Sequence, residues 1–190
     1  MLRGLIGERE EMSATLAGAA EAARKRLDGR GRQPREGAAD VEAVFAAADP
    51  AGEPEAIRLA PGDKIALRQQ LGKVLGHLNQ SSGGAIVVGA ADLLGSTAIS
   101  MVSEGFPEGF YHYRDNPDSR TLSVGGICED GLACVLSGIS AFGAHVGAGA
   151  SYGAFLAPLG HIPSRLHAIG NQTRKEAEPG PNRPMVLICG

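Results

Sequence analysis

Two carboxylates in this chain stand where short apolar runs end. Asp92 follows Ala85-Ile86-Val87-Val88-Gly89, in the segment Ala91-Asp92-Leu93-Leu94-Gly95-Ser96. Glu129 follows the run Arg120 to Val124, in the segment Gly126-Ile127-Cys128-Glu129-Asp130-Gly131. In open α/β sheets ligands bind just beyond the carboxyl ends of the strands, so an acid at that point can face a pocket. The small-residue helix that Glu129 opens also offers unpaired N–H groups in its first turn. Each residue has a structural use as well. Glu129 suits the positive end of a helix dipole, Asp92 an Asx turn, and Ser96 or Thr97 the N-cap of a segment starting near Ala98. Tyr152 and Phe155, spaced i, i+3, have the pattern of a core pair. In a chain with 4% aromatic residues, two rings in a glycine-rich stretch can also form a flat wall for a heteroaromatic ring.

The elements that must position these residues follow from pattern. Asp63 is placed to cap a helix over 64–78, with Ile65, Leu67, Leu71, Val74, Leu75 and Leu78 as its apolar face. After a turn at Ser81 to Gly84, the fully apolar run 85–89 reads as a buried parallel strand. A polar, aromatic-containing loop over 104–120 leads to a second strand at 120–124. Glu129 to Phe142 reads as a helix whose Ala133, Ser137, Gly138 and Ala141 let a neighbour approach closely. A third strand is expected at 144–148, then helix over 152–169 interrupted by Pro158 and Pro163. A polar loop over 171–184 and a last strand at 185–189 complete the pattern. Upstream, 8–27 is rich in strong helix formers and is stopped at Asp28-Gly29-Arg30-Gly31. A polar linker follows, then a helix over 38–48 broken at Asp49-Pro50 to Pro54.

At 190 residues, with 43% apolar residues and 28 glycines, the chain suits one α/β domain with an extra arm. A net charge of −3 with no dominant basic face argues against nucleic acid as a partner. The clusters Arg24-Lys25-Arg26 and Arg30 to Arg35 read as a solvated helix end and linker. Cys128, Cys134 and Cys189 have no metal-like spacing and suggest no disulfide framework, so they are expected reduced, with Cys128 a buried small residue. The N-terminus turns acidic at Glu8 without a signal-peptide core, and no apolar run is long enough to cross a membrane, so the expected location is the cytoplasm.

Taken in order, Ile65-Ala66-Leu67-Arg68, then Val88-Gly89-Ala90-Ala91-Asp92-Leu93-Leu94-Gly95-Ser96, then Gly126-Ile127-Cys128-Glu129, then Gly149-Ala150-Ser151-Tyr152-Gly153-Ala154-Phe155 form a series. The series resembles the pyrimidine-binding domain of the transketolase family. That family carries Arg-Lys-Ala-Ser, Gly-Ser-Ala-Asp-Leu-x-x-Ser, Gly-x-Arg-Glu-His and Gly-Gly-Thr-Phe-x-x-Phe segments at similar intervals. The resemblance spans roughly residues 55 to 190. It implies a three-layer α/β fold with a mostly parallel sheet flanked by helices. Residues 1–60 would be a helical arm or interdomain linker, and 61–190 the pyrimidine-binding domain, truncated at its C-terminal end where the chain stops on a strand at Gly190.

The resemblance also implies roles. Glu129 matches the glutamate that hydrogen-bonds the aminopyrimidine ring of thiamine diphosphate and promotes its imino tautomer, the protein supplying orientation and the cofactor the chemistry. Asp92 matches an acid near the cofactor, and Tyr152 and Phe155 match aromatics around the pyrimidine. Arg68 and Ser96 match residues that hold a sugar phosphate, for which a guanidinium fork and a hydroxyl are suited. The family Arg-Glu-His is here Cys128-Glu129-Asp130, and a third aromatic falls at Pro158. No Gly-Asp-Gly segment supplies the family's diphosphate and Mg2+ site, so that domain is expected on another chain or a missing segment. The chain is then expected to be inactive alone and to work as a homo- or hetero-oligomer in two-carbon ketol transfer between sugar phosphates. Two other readings stay open: a subunit of a 2-oxo-acid dehydrogenase-type decarboxylase, and a non-catalytic domain of the same fold. A nucleotide-binding α/β protein would lack its usual glycine-rich phosphate loop here.

Overall fold

The computed structural model describes residues 4, 9–47, 52, 54–177 and 183–190, with the backbone alone for 172–177. The breaker at 49–50 lies outside them. The chain divides into two compact units, Met1–Ala38 and Ala39–Gly190.

The first unit contains helix α1 (Glu10–Asp28), with Glu10 and Glu11 in its first turn and Lys25 and Arg26 in its last. Both sets oppose the helix dipole's partial charges. The chain leaves through Gly31, which takes the left-handed φ of 54° that glycine reaches without a Cβ clash.

The second unit is built on four parallel strands in the order β2-β1-β3-β4: β1 Ile86–Ala90, β2 Thr121–Leu122, β3 Val146–Ser151 and β4 Val186–Cys189. Helices α2 (Val41–Ala46) and α3 (Leu67–Ser81) precede β1, α4 (Glu129–Phe142) links β2 to β3, and α5 (Leu156–Ala177) links β3 to β4. On one face of the sheet Val41, Val44 and Leu75 pack with Ile99 and Val102 against Ile86, Val88, Ala148 and Ala150. On the other, Leu132, Ala133 and Leu136 of α4 pack with Leu159 of α5 against Val87 and Leu122. This is the three-layer α/β architecture expected from the sequence. The alternation of β1 and β3 side chains between the two clusters is the period of two that a strand buried on both faces requires. Close packing depends on missing side chains: a Cβ on Gly147 would run into the Leu136 backbone carbonyl, and one on Gly72 would lie 2.6 Å from Ala98 O.

Several boundaries differ from the expected ones for local reasons. Helix α3 begins at Leu67 rather than Lys64, because Asp63 Oδ2 accepts from Ala60 N at 2.8 Å and closes its own turn instead of capping a helix. Helix α5 runs unbroken to Ala177, through Pro163 and into the stretch expected to be loop. Pro158 stands in its first turn, where the backbone N–H has no intrahelical partner to lose. Cys128, Cys134 and Cys189 are all exposed, against the expectation of a buried Cys128. The buried face of α4 is Leu132, Ala133, Leu136, Ser137 and Ser140, which turns Cys134 outward.

Candidate functional site

The carboxyl ends of β1 and β2 open onto a cavity of about 400 Å³. Its walls include Ala91, Asp92 and Leu94 after β1, Val124, Gly126 and Ile127 after β2, Leu132 of α4, and Phe110. Asp92 is the charged residue among these walls, and its backbone takes a left-handed φ of 58°. Aspartate tolerates that region better than most residues, but still at a cost. The turn is held by Leu93 O, which accepts from Thr97 Oγ1 at 2.7 Å, Thr97 N at 3.0 Å and Ser96 Oγ at 3.3 Å. Ser96 and Thr97 therefore tie a turn rather than cap a helix. Ala98, also left-handed at φ 59°, ends the segment against α3.

Glu129 is the first residue of α4 and is half-buried. It lies one helical turn before Leu132, which lines the cavity, and is not itself among the lining residues. The N-cap is Cys128, whose Sγ accepts from Gly131 N at 3.4 Å. Asp130, on the adjoining face, lies 3.1 Å from His161 Nδ1 of α5.

Phe110 is the wall that the sequence analysis left out. It sits on the 104–120 loop, which internal hydrogen bonds hold in shape. Asn116 Nδ2 donates to Glu108 O at 2.8 Å and Phe110 O at 3.1 Å, Ser119 Oγ donates to Gly109 O at 2.7 Å, and Tyr111 N donates to Thr121 O at 2.7 Å. The signal was present: Phe106, Phe110, Tyr111 and Tyr113 crowd one loop of an aromatic-poor chain.

The remaining candidates are not among the residues that line the cavity. Tyr152 precedes and Phe155 ends the short 3-10 turn Gly153–Phe155 after β3, and they are 38% and 48% exposed. The Tyr152 ring lies beside Gly190 at the end of β4, where a Cβ would be 3.2 Å away. Arg68 is exposed in the first turn of α3, one turn before Gly72, which packs on Ala98. Ser96 is exposed two residues from that contact. Between the two groups lies Ser151, fully buried at the end of β3, whose Oγ has no hydrogen-bond partner among the described residues. The chain leaves β1 toward β2 and β3 toward β4, so β1 and β3 form the switch point of the sheet, where α/β proteins bind ligands.

The donor set fits an uncharged heteroaromatic ring. One carboxylate, Asp92, lines the cavity, and a phenyl ring and aliphatic side chains supply flat and apolar walls. It does not fit a diphosphate, since no lysine or arginine is among the lining residues. Among the described residues no group of three or more His, Cys, Asp or Glu is arranged to hold a metal ion, and no helix is long and apolar enough to cross a membrane.

No protein-family model matches the chain, and no curated protein matches its sequence. Among solved structures it is similar to transketolase from Leishmania mexicana, with a TM-score of 0.45 and 21% identity over 60% of this chain. The chain's match spans 17% of that protein's length.

Proposed function

We propose that the cavity at the ends of β1 and β2 binds the aminopyrimidine ring of thiamine diphosphate, as the pyrimidine half of a transketolase-like active site. The observation that carries this reading is Asp92 on the wall of a ring-sized cavity, with Glu129 one helical turn before the lining residue Leu132. The order of the four sequence segments supports it independently. In this reading Phe110, Leu94 and Ile127 sandwich the ring and exclude water, which strengthens a hydrogen bond from the ring to a carboxylate. Glu129 holds a proton at a ring nitrogen, with the first turn of α4 fixing its backbone. Asp92 accepts from the exocyclic amine, in a turn whose backbone is held under strain. Tyr152 and Phe155 border the cofactor on the β3 side, and Arg68 and Ser96 receive the phosphate of a sugar substrate. The bound cofactor supplies the nucleophilic carbon that carries a two-carbon ketol unit. Its diphosphate and Mg2+ are held by a diphosphate-binding domain from elsewhere.

The test is a titration of the full chain with thiamine diphosphate and Mg2+, followed by backbone amide NMR. Saturable shifts at Leu94, Gly95, Gly126 and Ile127, weakened at least tenfold by Glu129→Gln, are expected. A donor half-reaction that appears with a co-expressed diphosphate-binding chain and vanishes in the same variant would complete the case. Shifts elsewhere, or none, together with no turnover in any combination, would overturn the reading in favour of a non-catalytic domain.

A further inference from the structure

Helix α1 buries none of its residues, and its long apolar side chains Met12, Leu16 and Leu27 are exposed. At 100° per residue, Met12, Leu16, Ala19, Ala20, Ala23 and Leu27 fall within about 60° on either side of Leu16 and form one stripe along the helix. On the same projection Arg24 and Arg26 lie about 80° to either side of the stripe's centre, and Lys25 lies opposite it. Glu10, Glu11 and Glu21 are on the far side, about 120–140° from the centre. The helix is therefore divided by charge as well as by hydropathy, with arginines along both borders of an apolar line and acids turned away from it. The basic run does not stop with the helix. Arg30, Arg32 and Arg35 follow in a segment without helix or strand, so between Arg24 and Arg35 six cations face one acid, Asp28. By composition this run is a solvated helix end and linker; helical phase is what sets Arg24 and Arg26 at the borders of the stripe.

We propose that α1 and the basic segment after it dock on the surface of an anionic lipid bilayer, with the apolar stripe in the interface and the cations on the headgroups. A helix that lies on a bilayer needs an apolar line facing the acyl chains and a polar face, rich in cations, toward the headgroups and water. Arginines about 80° from the centre of the stripe suit its edges, because their aliphatic stems extend the apolar surface while the guanidinium forks reach lipid phosphates. Charge decides the occupant. The chain as a whole carries −3, so an anionic surface repels most of it and attracts the one stretch where cations are gathered. A helical partner would use the stripe and leave Arg30, Arg32 and Arg35, beyond the end of α1, without a role. A nucleic acid would use the cations and leave the stripe in water. An anionic bilayer uses both. Three long apolar side chains and three alanines make a weak anchor alone, so attachment takes the apolar and the basic signal together and is reversible. It is attachment to a surface, since no helix among the described residues is long and apolar enough to cross a membrane. It does not depend on the cofactor reading, because no residue that lines the cavity belongs to α1.

Co-sedimentation of the full chain with sucrose-loaded vesicles tests this, comparing phosphatidylcholine containing about 30% phosphatidylserine with phosphatidylcholine alone. Two variants accompany the wild type: Leu16→Glu in the stripe, and Arg24→Gln with Arg26→Gln at its borders. All three positions are exposed, and circular dichroism melts check that each variant stays folded. The expected result is saturable binding to the phosphatidylserine vesicles, little to phosphatidylcholine, and release in about 0.5 M salt, where charges are screened within a few ångströms. Each cation near an anionic surface is worth about fivefold in binding, so the double variant should bind about 25-fold more weakly. Leu16→Glu should bind at least about tenfold more weakly, through the loss of one buried leucine. Equal binding to both vesicles, or binding that both folded variants keep, would overturn the proposal. So would a wild type that stays in the supernatant; a two-chain mass in sedimentation equilibrium, lost in Leu16→Glu, would then assign the stripe to a helix partner.

Discussion

Asn79 is the residue whose removal should cost the fold most per atom changed, and the cost can be worked from its contacts. It is completely buried near the end of α3. Its Nδ2 donates to Val102 O at 2.7 Å, and its Oδ1 accepts from Ile86 N at 2.7 Å. Its own carbonyl accepts from Gly84 N at 2.8 Å and Ser82 Oγ at 3.1 Å. Ile86 opens β1, and Val102 lies in the 3-10 turn Ile99–Ser103. Asn79 therefore clamps both ends of the segment that carries Asp92. Asn79→Leu keeps the volume but strands one backbone N–H and one backbone carbonyl away from water, at about 1–3 kcal/mol each. A total near 3 kcal/mol lowers the melting temperature by roughly 6–12 °C in a chain of this size.

Asn79→Asp separates hydrogen bonding from volume. Its carboxylate still accepts from Ile86 N but faces Val102 O with no proton to give. Burial raises a carboxyl pKa. The folded variant therefore binds its proton more tightly than the unfolded chain does, so part of the stability is present at low pH and is lost as pH rises through the raised folded-state value. Urea titrations of the three proteins at acid and neutral pH decide the matter. A melt of Asn79→Leu within about 2 °C of wild type would refute the argument, being under 1 kcal/mol. So would an Asn79→Asp variant whose stability relative to wild type ignores pH.

Two further outcomes follow from backbone geometry. Asp92→Gly should raise stability by about 0.5–1 kcal/mol, by releasing the left-handed strain, while weakening ligand binding at the cavity; equal or lower stability in urea titration would show that the turn is unstrained. Gly147→Ala should cost about 3 kcal/mol or more, because its Cβ meets the Leu136 carbonyl on a packed helix, and a wild-type melting temperature would mean that α4 moves freely over the sheet.

What could be read from the chain was whatever a local pattern determines. The acid at Glu129 and the glycine at Gly143, which takes φ 90°, mark both ends of α4, and the apolar run at 86–88 marks β1. What could not be read depends on competition between distant or equivalent partners. Asp63 had two possible uses, a helix cap and a turn, and Ala60 N–H decides for the turn. Pro163 looks like a helix break in isolation, yet α5 continues through it, with Leu159 fully buried against α4 on one side and Ser164 Oγ bonded to Gly160 O at 2.8 Å on the other. Phe110 enters the cavity only because Asn116 and Ser119 fold the loop back on itself, which no periodicity encodes. Cys128 was expected to be buried because cysteine usually is, but it is the exposed N-cap of α4, where its Sγ accepts from Gly131 N.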